Sequence, residues 1–287
     1  METSELLKKV RKIEIKTRGL SNQILAGEYH SAFKGRGMAF SEVREYQYGD
    51  DIRNIDWNVT ARLNHPYVKV YEEERELTVM LVIDVSGSRD FGTNTRLKKT
   101  LIAELAAIIS FSAAKNQDKV GAILFSDQIE KFIPPQKGRQ HILRMISELI
   151  NFEPKSKRTN ITEGLRYLTN AIKKRSIAFL ISDFMSPSFE EALKIANRKH
   201  DMVALRVFDI RESELPNIGM IQVKNAETDQ VLWLDSSNYR IRKNYSDKWK
   251  MDQQNLTDLF SKCGVDNCLI RTDDDYVKPL MNLFKRR

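Results

Sequence analysis

The sequence predicts an α/β protein with a doubly wound, mostly parallel sheet flanked by helices, and three observations carry that expectation. Four short, continuous apolar runs (ELTVMLVID, KVGAILFS, RSIAFLISD and DMVALRVFD) have the pattern of strands buried on both faces. Between them lie stretches with apolar residues at helical spacing, of which RLKKTLIAELAAIISFSAAKN is the longest. The two kinds of segment alternate, and that alternation favours parallel strands joined by helices that pack back onto the sheet.

Taken in order from about Leu77, ELTVMLVID is the first strand and RLKKTLIAELAAIISFSAAKN the first helix. KVGAILFS follows as a strand, with QIEKFIPP expected to pair with it as a hairpin. GRQHILRMISELINF and NITEGLRYLTNAIKKR read as helices, the second capped by Asn160 or Thr159. After RSIAFLISD, the stretch SPSFEEALKIANRKH is helical, with Ser186 or Ser188 as the expected cap and Pro187 near the first turn. Residues 209 to about 244 break the rhythm, and IGMIQVKNAETDQVLWLDSS reads as an inserted β-hairpin. SDKWKMDQQNLTDLFSKCG is a helix closed by Gly264. VDNCLIRTDDD is a last strand, and YVKPLMNLFKRR a closing helix with Pro279 near its start.

Residues 1–76 differ from this main region, 77–287. They begin with a basic amphipathic helix at 4–17 and continue as turn-rich, polar sequence. With few apolar residues for a core of its own, the segment is expected to pack on the main domain.

The chain has 287 residues, 41% hydrophobic and 30% charged, which is ordinary for a globular protein. No apolar stretch reaches the roughly 18 residues of a membrane-spanning helix. The nearest, LIAELAAIISFSAA, is interrupted by Glu104. The first residues, METSELLKKVRKIEIKTRG, have no apolar segment of a secretory signal, so a cytoplasmic location is expected. Cys263 and Cys268 have no histidine or further cysteine nearby, which makes a poor zinc site and leaves ordinary structural thiols. The net charge is +8, but the basic residues are scattered and mixed with acids. No dense basic run with interleaved aromatics appears, which argues against a nucleic-acid surface.

In doubly wound sheets ligands bind beyond the carboxyl ends of the strands. Three features converge there. The first strand ends in Asp84-Val-Ser86-Gly-Ser88, a D-x-S-x-S triplet; the third buried strand ends in Ser182-Asp183; and Thr159 opens a helix after the basic loop KSKRTN. Hard divalent cations take oxygen ligands, and Mg²⁺ keeps several waters. Two hydroxyls at i and i+2 on a tight loop can face one ion, with a carboxylate on each side holding the ion or its waters. The donor set suits Mg²⁺, with Mn²⁺ or Ca²⁺ as alternatives, and resembles no zinc or iron arrangement. A plainer reading is open: a lone D-x-S-x-S arises by chance, and an acid after a strand is often a helix cap.

The stretches LVIDVSGS, RTNITEGL and FLISDF closely resemble the metal-ion-dependent adhesion site of von Willebrand factor type A domains. That resemblance places Asp84, Ser86 and Ser88 on its first loop, Thr159 on its second and Asp183 on its third. It implies direct ligation by the hydroxyls and water-mediated contact by the acids. The segment GRGMAFSEVREYQYGDDIRNIDWNVTARLNHPYVKVYEEERE is similar to the signature of the bacterial family called domain of unknown function 58. Members often adjoin a MoxR-type AAA+ ATPase, so the resemblance implies a partner of that kind. Within GDDIRNIDW, the residues Asp50, Asp51, Arg53, Asp56 and Trp57 make either a partner surface or a local scaffold, with Arg53 paired to an acid and Trp57 packed onto the domain.

The expected function is therefore a non-enzymatic, metal-dependent protein-interaction module in which a partner's Asp or Glu carboxylate completes the metal's shell. Ser86 and Ser88 are expected on a surface loop whose alteration leaves the fold intact. The alternatives are a metal-dependent phosphoester hydrolase, which needs a nucleophile or base beside the ion, and a nucleic-acid-binding protein. His30, His65, His141 and His200 fall in no catalytic spacing.

Overall fold

A computed structural model describes residues 38–73, 77–92, 97–224 and 231–287, and the expected helix at 4–17 lies outside them. The chain divides into two units, of which Lys34–Leu77 is the smaller and Thr78–Arg287 lies in the larger.

The smaller unit holds a hairpin that the sequence reading passed over as turn-rich loop. Strand β1 (Met38–Glu45) pairs antiparallel with β2 (Tyr67–Glu73), with a register shift between Phe40 and Glu42. Helix α1 (Trp57–Leu63) lies between them. The acids of GDDIRNIDW are the local architects. Asp50 takes a two-pronged bond from Arg44 at 2.8 Å each and another from the Gln47 N–H, which closes the turn at Gly49, where φ is +106°. Asp51 caps the 3₁₀ turn Ile52–Asn54 through the Arg53 N–H. Asp56 caps α1 by accepting from the N–H groups of Asn58 and Val59. The paired arginine here is thus Arg44, and the Trp57 side chain is 70% exposed.

The larger unit is built on six strands: β3 (Thr78–Asp84), β4 (Lys119–Phe125), β5 (Ile129–Gln136), β6 (Ile177–Ser182), β7 (Asp201–Phe208) and β10 (Asp266–Arg271). Their order is β10-β7-β6-β3-β4-β5, all parallel except the antiparallel edge strand β5. The expected α/β class and the β4–β5 hairpin are therefore present. Buried residues fill β3, β4, β6 and β7 almost without interruption, because helices cover both faces. Those helices are α2 (Lys98–Lys115), α3 (Arg139–Ile150), α4 (Ile161–Ala171), α5 (Glu190–Lys199), the short α6 (Ile210–Ser213), α7 (Tyr239–Cys263) and α8 (Val277–Lys285). Helix α4 rides close on β4: a Cβ added at Gly164 would meet the Phe125 ring at 3.0 Å. The inserted hairpin is β8 (Met220–Lys224) with β9 (Val231–Asp235).

Two local expectations change. Helix α7 begins at Tyr239, inside the stretch expected to be hairpin, with the Asn238 side chain accepting from the Arg240 N–H. Its first turns, before Ser246, were not legible as a helix because only Phe260 and Cys263 along its length are buried, so no apolar stripe marks its start. Ser186 does not cap α5; its hydroxyl accepts from the Ile161 N–H at 3.2 Å and so supports the start of α4, beside the Asn160 cap. Both cysteines are buried and free, and burial pushes the Cys268 thiol up to about 12, in keeping with structural thiols.

This order fixes where a ligand can sit. The chain winds from β3 outward to β4 and β5, then returns to the other side of β3 with β6, β7 and β10. The switch point lies at the carboxyl ends of β3 and β6, where crossovers leave in opposite directions and open a crevice.

Candidate metal centre

Asp84 is the last residue of β3 and is almost fully buried. One carboxylate oxygen accepts from the Ser86 N–H at 2.9 Å and the other from the Ser182 hydroxyl at 2.7 Å. Ser182, the last residue of β6, also accepts from the Phe184 N–H at 2.9 Å, so it ties the two strand ends together. The Ser86 and Ser88 hydroxyl oxygens lie 3.2 Å apart. Ser86 is fully buried and Ser88 half-buried, so the expected surface loop is instead an internal one, drawn in by the Asp84 carboxylate.

Asp183 follows β6. One of its oxygens accepts from the Met185 N–H at 3.1 Å, and the nearby Ser88 hydroxyl favours its charged form. The strand that carries the D-x-S-x-S loop and the strand before Asp183 are joined through the Ser182–Asp84 bond. The third loop is joined through backbone: the Gly87 N–H donates to the Lys157 carbonyl at 3.0 Å, and the Asn160 N–H to the Ser126 carbonyl at 2.9 Å. Thr159 lies between those two anchors. Its hydroxyl oxygen is buried and has no hydrogen-bond partner among the described residues. A buried hydroxyl left unmatched costs about 1–3 kcal/mol, which a bound ligand would relieve. Glu130 of β5 holds the same loop by accepting from the Ser126 hydroxyl at 2.7 Å and the Lys155 and Ser156 N–H groups at 3.1 and 3.3 Å.

Three residues of this edge escaped the sequence reading. Lys98, in the first turn of α2, is only 1% exposed, and its ammonium donates to Asp183 at 3.0 Å and to Glu212 of α6. Glu212 also accepts from the Asp209 N–H at 2.8 Å in a capping box, which fixes its position. Arg206, near the end of β7, is likewise buried and lies 5.6 Å above the Trp249 ring. In sequence Lys98 sits in RLKK and looks like any solvated helical lysine. No local pattern announces a partner 85 or 114 residues away.

The electrostatics divide the two acids. Burial, and then the negative charge of Asp183, push Asp84 up to about 6 against the pull of its bonds from Ser182 and Ser86. Burial acts on Asp183 in the same direction, but the Lys98 charge, the Ser88 hydroxyl and the bond from Met185 outweigh it and hold the carboxyl below its ordinary value. Burial opposes the charge on Lys98, yet Asp183 and Glu212 keep its ammonium above the ordinary lysine range.

The donor set can be judged on this geometry. Two hydroxyls in contact, a buried orphan hydroxyl on a neighbouring loop and two carboxylates form a concentration of hard oxygen donors, which fits a divalent ion of the Mg²⁺ type. The described histidines of the larger unit lie elsewhere. The His141 ring nitrogen lies 2.9 Å from the Val120 carbonyl at the start of β4, and the His200 ring 2.9 Å from the Ser176 hydroxyl just before β6. Both are at the opposite end of the strands from Asp84 and Asp183.

Comparison with known proteins gives the following. Residues 42–255 match the family described as protein of unknown function DUF58. The uncharacterized protein Rv1480 of Mycobacterium tuberculosis is 28% identical over 290 residues, covering 100% of this chain and 91% of its own. The uncharacterized protein YeaD of Bacillus subtilis is 30% identical over 132 residues, 46% of this chain and 29% of its own. Among solved structures, an aerotolerance-related membrane protein from Bacteroides fragilis covers 74% of this chain and 100% of its own at 14% identity and a TM-score of 0.47. The SpRpn10 VWA domain covers 74% and 95% at 12% identity and a TM-score of 0.36. Among the described residues no helix is long and apolar enough to cross a membrane.

Proposed function

The chain belongs to the DUF58 family, and on that premise we propose that it is a non-enzymatic protein-interaction module whose partner binds through a divalent metal ion. The observation that carries this reading is the buried, unpartnered Thr159 hydroxyl at the edge where Asp84, Ser86, Ser88 and Asp183 lie. Ser86, Ser88 and Thr159 would offer hydroxyl oxygens to the ion, and Asp84 and Asp183 would offer carboxylate oxygens directly or through water. A Mg²⁺ ion held mainly by neutral oxygens supplies a Lewis-acidic position that a partner's Asp or Glu carboxylate can occupy.

The chain's own residues do the remaining work. The β3 and β6 ends set the two acids on either side of the switch point, and the Ser182 bond fixes the rotamer of Asp84. Glu130 and the Gly87–Lys157 bond hold the Thr159 loop against the serine loop. A phosphoester hydrolase would need a base or nucleophile beside the ion. Position 86 is a serine where a second acid would serve, and His141 and His200 are engaged at the far end of the sheet.

The partner we propose is a MoxR-type AAA+ ATPase of the same cell, a reading supported by family membership. The test is co-purification of this chain with that ATPase in Mg²⁺ and again in a chelator, with ATP turnover measured alongside. Capture in Mg²⁺ that is lost in chelator supports the reading. Two folded proteins that neither associate nor alter ATP hydrolysis in Mg²⁺ would overturn it.

A further inference from the structure

Three cations stand among the acids of the candidate centre before any ion arrives. Asp84, Asp183 and Glu212 are faced by Lys98, Arg89 and Arg206, all six of them within the larger unit and all but Glu212 largely buried. The Lys98 ammonium is bonded to both Asp183 and Glu212. The Arg89 charge acts first on Asp90 and then on Asp84 and Glu153, and the Arg206 charge acts on Asp183, Glu212 and Asp252. Arg89 is held in place by its bond to the Phe152 carbonyl, and Arg206 by Gln253 and the Trp249 ring.

From this arrangement we infer that Lys98 is the internal counter-ion of the metal centre, a positioning residue that holds Asp183 in the outer shell and sets how tightly a divalent cation binds. This inference rests on the metal reading above and deepens it. A lysine charge 3.0 Å from a carboxylate cancels most of that carboxylate's attraction for a second cation. A divalent ion entering beside it would keep a net positive charge, because Asp84 is the one carboxylate left to offset it and its other ligands are neutral hydroxyls. The residual charge favours an anionic ligand from outside, so the centre binds metal alone weakly and metal with a partner's carboxylate strongly. Glu212 modulates this from the far side of Lys98: it shares the ammonium with Asp183 but makes no bond to the serine loop among its described contacts.

The opposed roles of Lys98 and Glu212 make the inference testable. Mg²⁺ and Mn²⁺ would be titrated calorimetrically into the full chain, into Lys98→Met, which keeps the side chain's bulk without its charge, and into Glu212→Gln. Thermal melting would check that each variant is folded. Lys98→Met should bind the ion about tenfold or more tightly than wild type, and Glu212→Gln several-fold more weakly, as expected for one unit charge removed a few ångströms from a divalent ion. Two variants that merely loosened the fold would both bind more weakly, so opposite directions are the signature. Unchanged affinity in both variants, or weakening in both, overturns the inference while leaving the metal reading intact. If Lys98→Met does not fold, Lys98→Gln, which also lacks the charge, takes its place: tighter binding supports the inference, and equal or weaker binding overturns it. No binding by wild type or by a folded Lys98→Met overturns the metal reading, and this inference with it.

Discussion

The two ends of the parallel sheet bury their polar groups in different ways. Where the strands begin, the buried pair is neutral: Ser176 and His200 meet at 2.9 Å, with the other His200 ring nitrogen buried and unmatched among the described residues. Arg287 pairs there with the partly exposed Asp201 and Asp266, and His141 rests on the Val120 carbonyl. Burial, and then the charges of Lys199 and Arg175, hold His200 down at about 4, so its ring is uncharged at neutral pH. Where the strands end, the buried groups are a charged network of Asp84, Asp183, Lys98 and Arg206, with the Thr159 hydroxyl left unmatched beside it. Each end thus leaves a polar atom buried and unmatched, and what sets the carboxyl ends apart is the concentration of buried charge, which is costly to keep out of water unless it is fully paired.

The largest expected effect is at the charged end. Asp183→Ala removes one partner of a buried ammonium and should lower stability by about 3–5 kcal/mol in urea denaturation with chelator present. A loss under about 1 kcal/mol would mean that Lys98 is solvated, and the contrast between the two ends would fall.

At the neutral end the effect is smaller and follows pH. The unfolded His200 protonates near about 6.5 and the folded one only near about 4, so its contribution is complete above the first value. As pH falls from about 6.5 towards 4, the unfolded state gains a proton that the folded state resists, and on the order of 2 kcal/mol of stability is lost. The melting temperature should therefore fall more steeply between pH 7 and pH 4 for wild type than for His200→Gln. Equal slopes would show that this histidine titrates normally. Smaller still, Ser176→Ala should cost about 1 kcal/mol, the worth of one neutral hydrogen bond.

The same two ends show what a sequence discloses. The strands were legible because burial on both faces makes LVID, AILF and FLIS continuous apolar runs, and the site loops because Asp84, Ser86, Ser88, Thr159 and Asp183 fall just beyond runs or at a helix start. Lys98, Glu212 and Arg206 were not legible, since their meaning comes from strand order and not from neighbours in the chain. The β1–β2 hairpin was obscured by its polar residues and the α7 start by its exposed, basic surface. Ser186 was read as a local cap when its hydroxyl serves a helix that begins 25 residues earlier.

The most direct test of the account is calorimetric titration of Mg²⁺ into wild type and into the Ser86→Ala/Ser88→Ala double variant. Because these hydroxyls are paired with each other at 3.2 Å, removing both strands neither of them, and the loss of their contacts to Asp84 and Asp183 should cost about 1 kcal/mol, which leaves the protein folded. The account predicts binding by wild type and a loss in the double variant of at least the roughly 10- to 100-fold that even outer-shell partners contribute to metal sites. Equal affinity in the two proteins, or no binding by either, would contradict it.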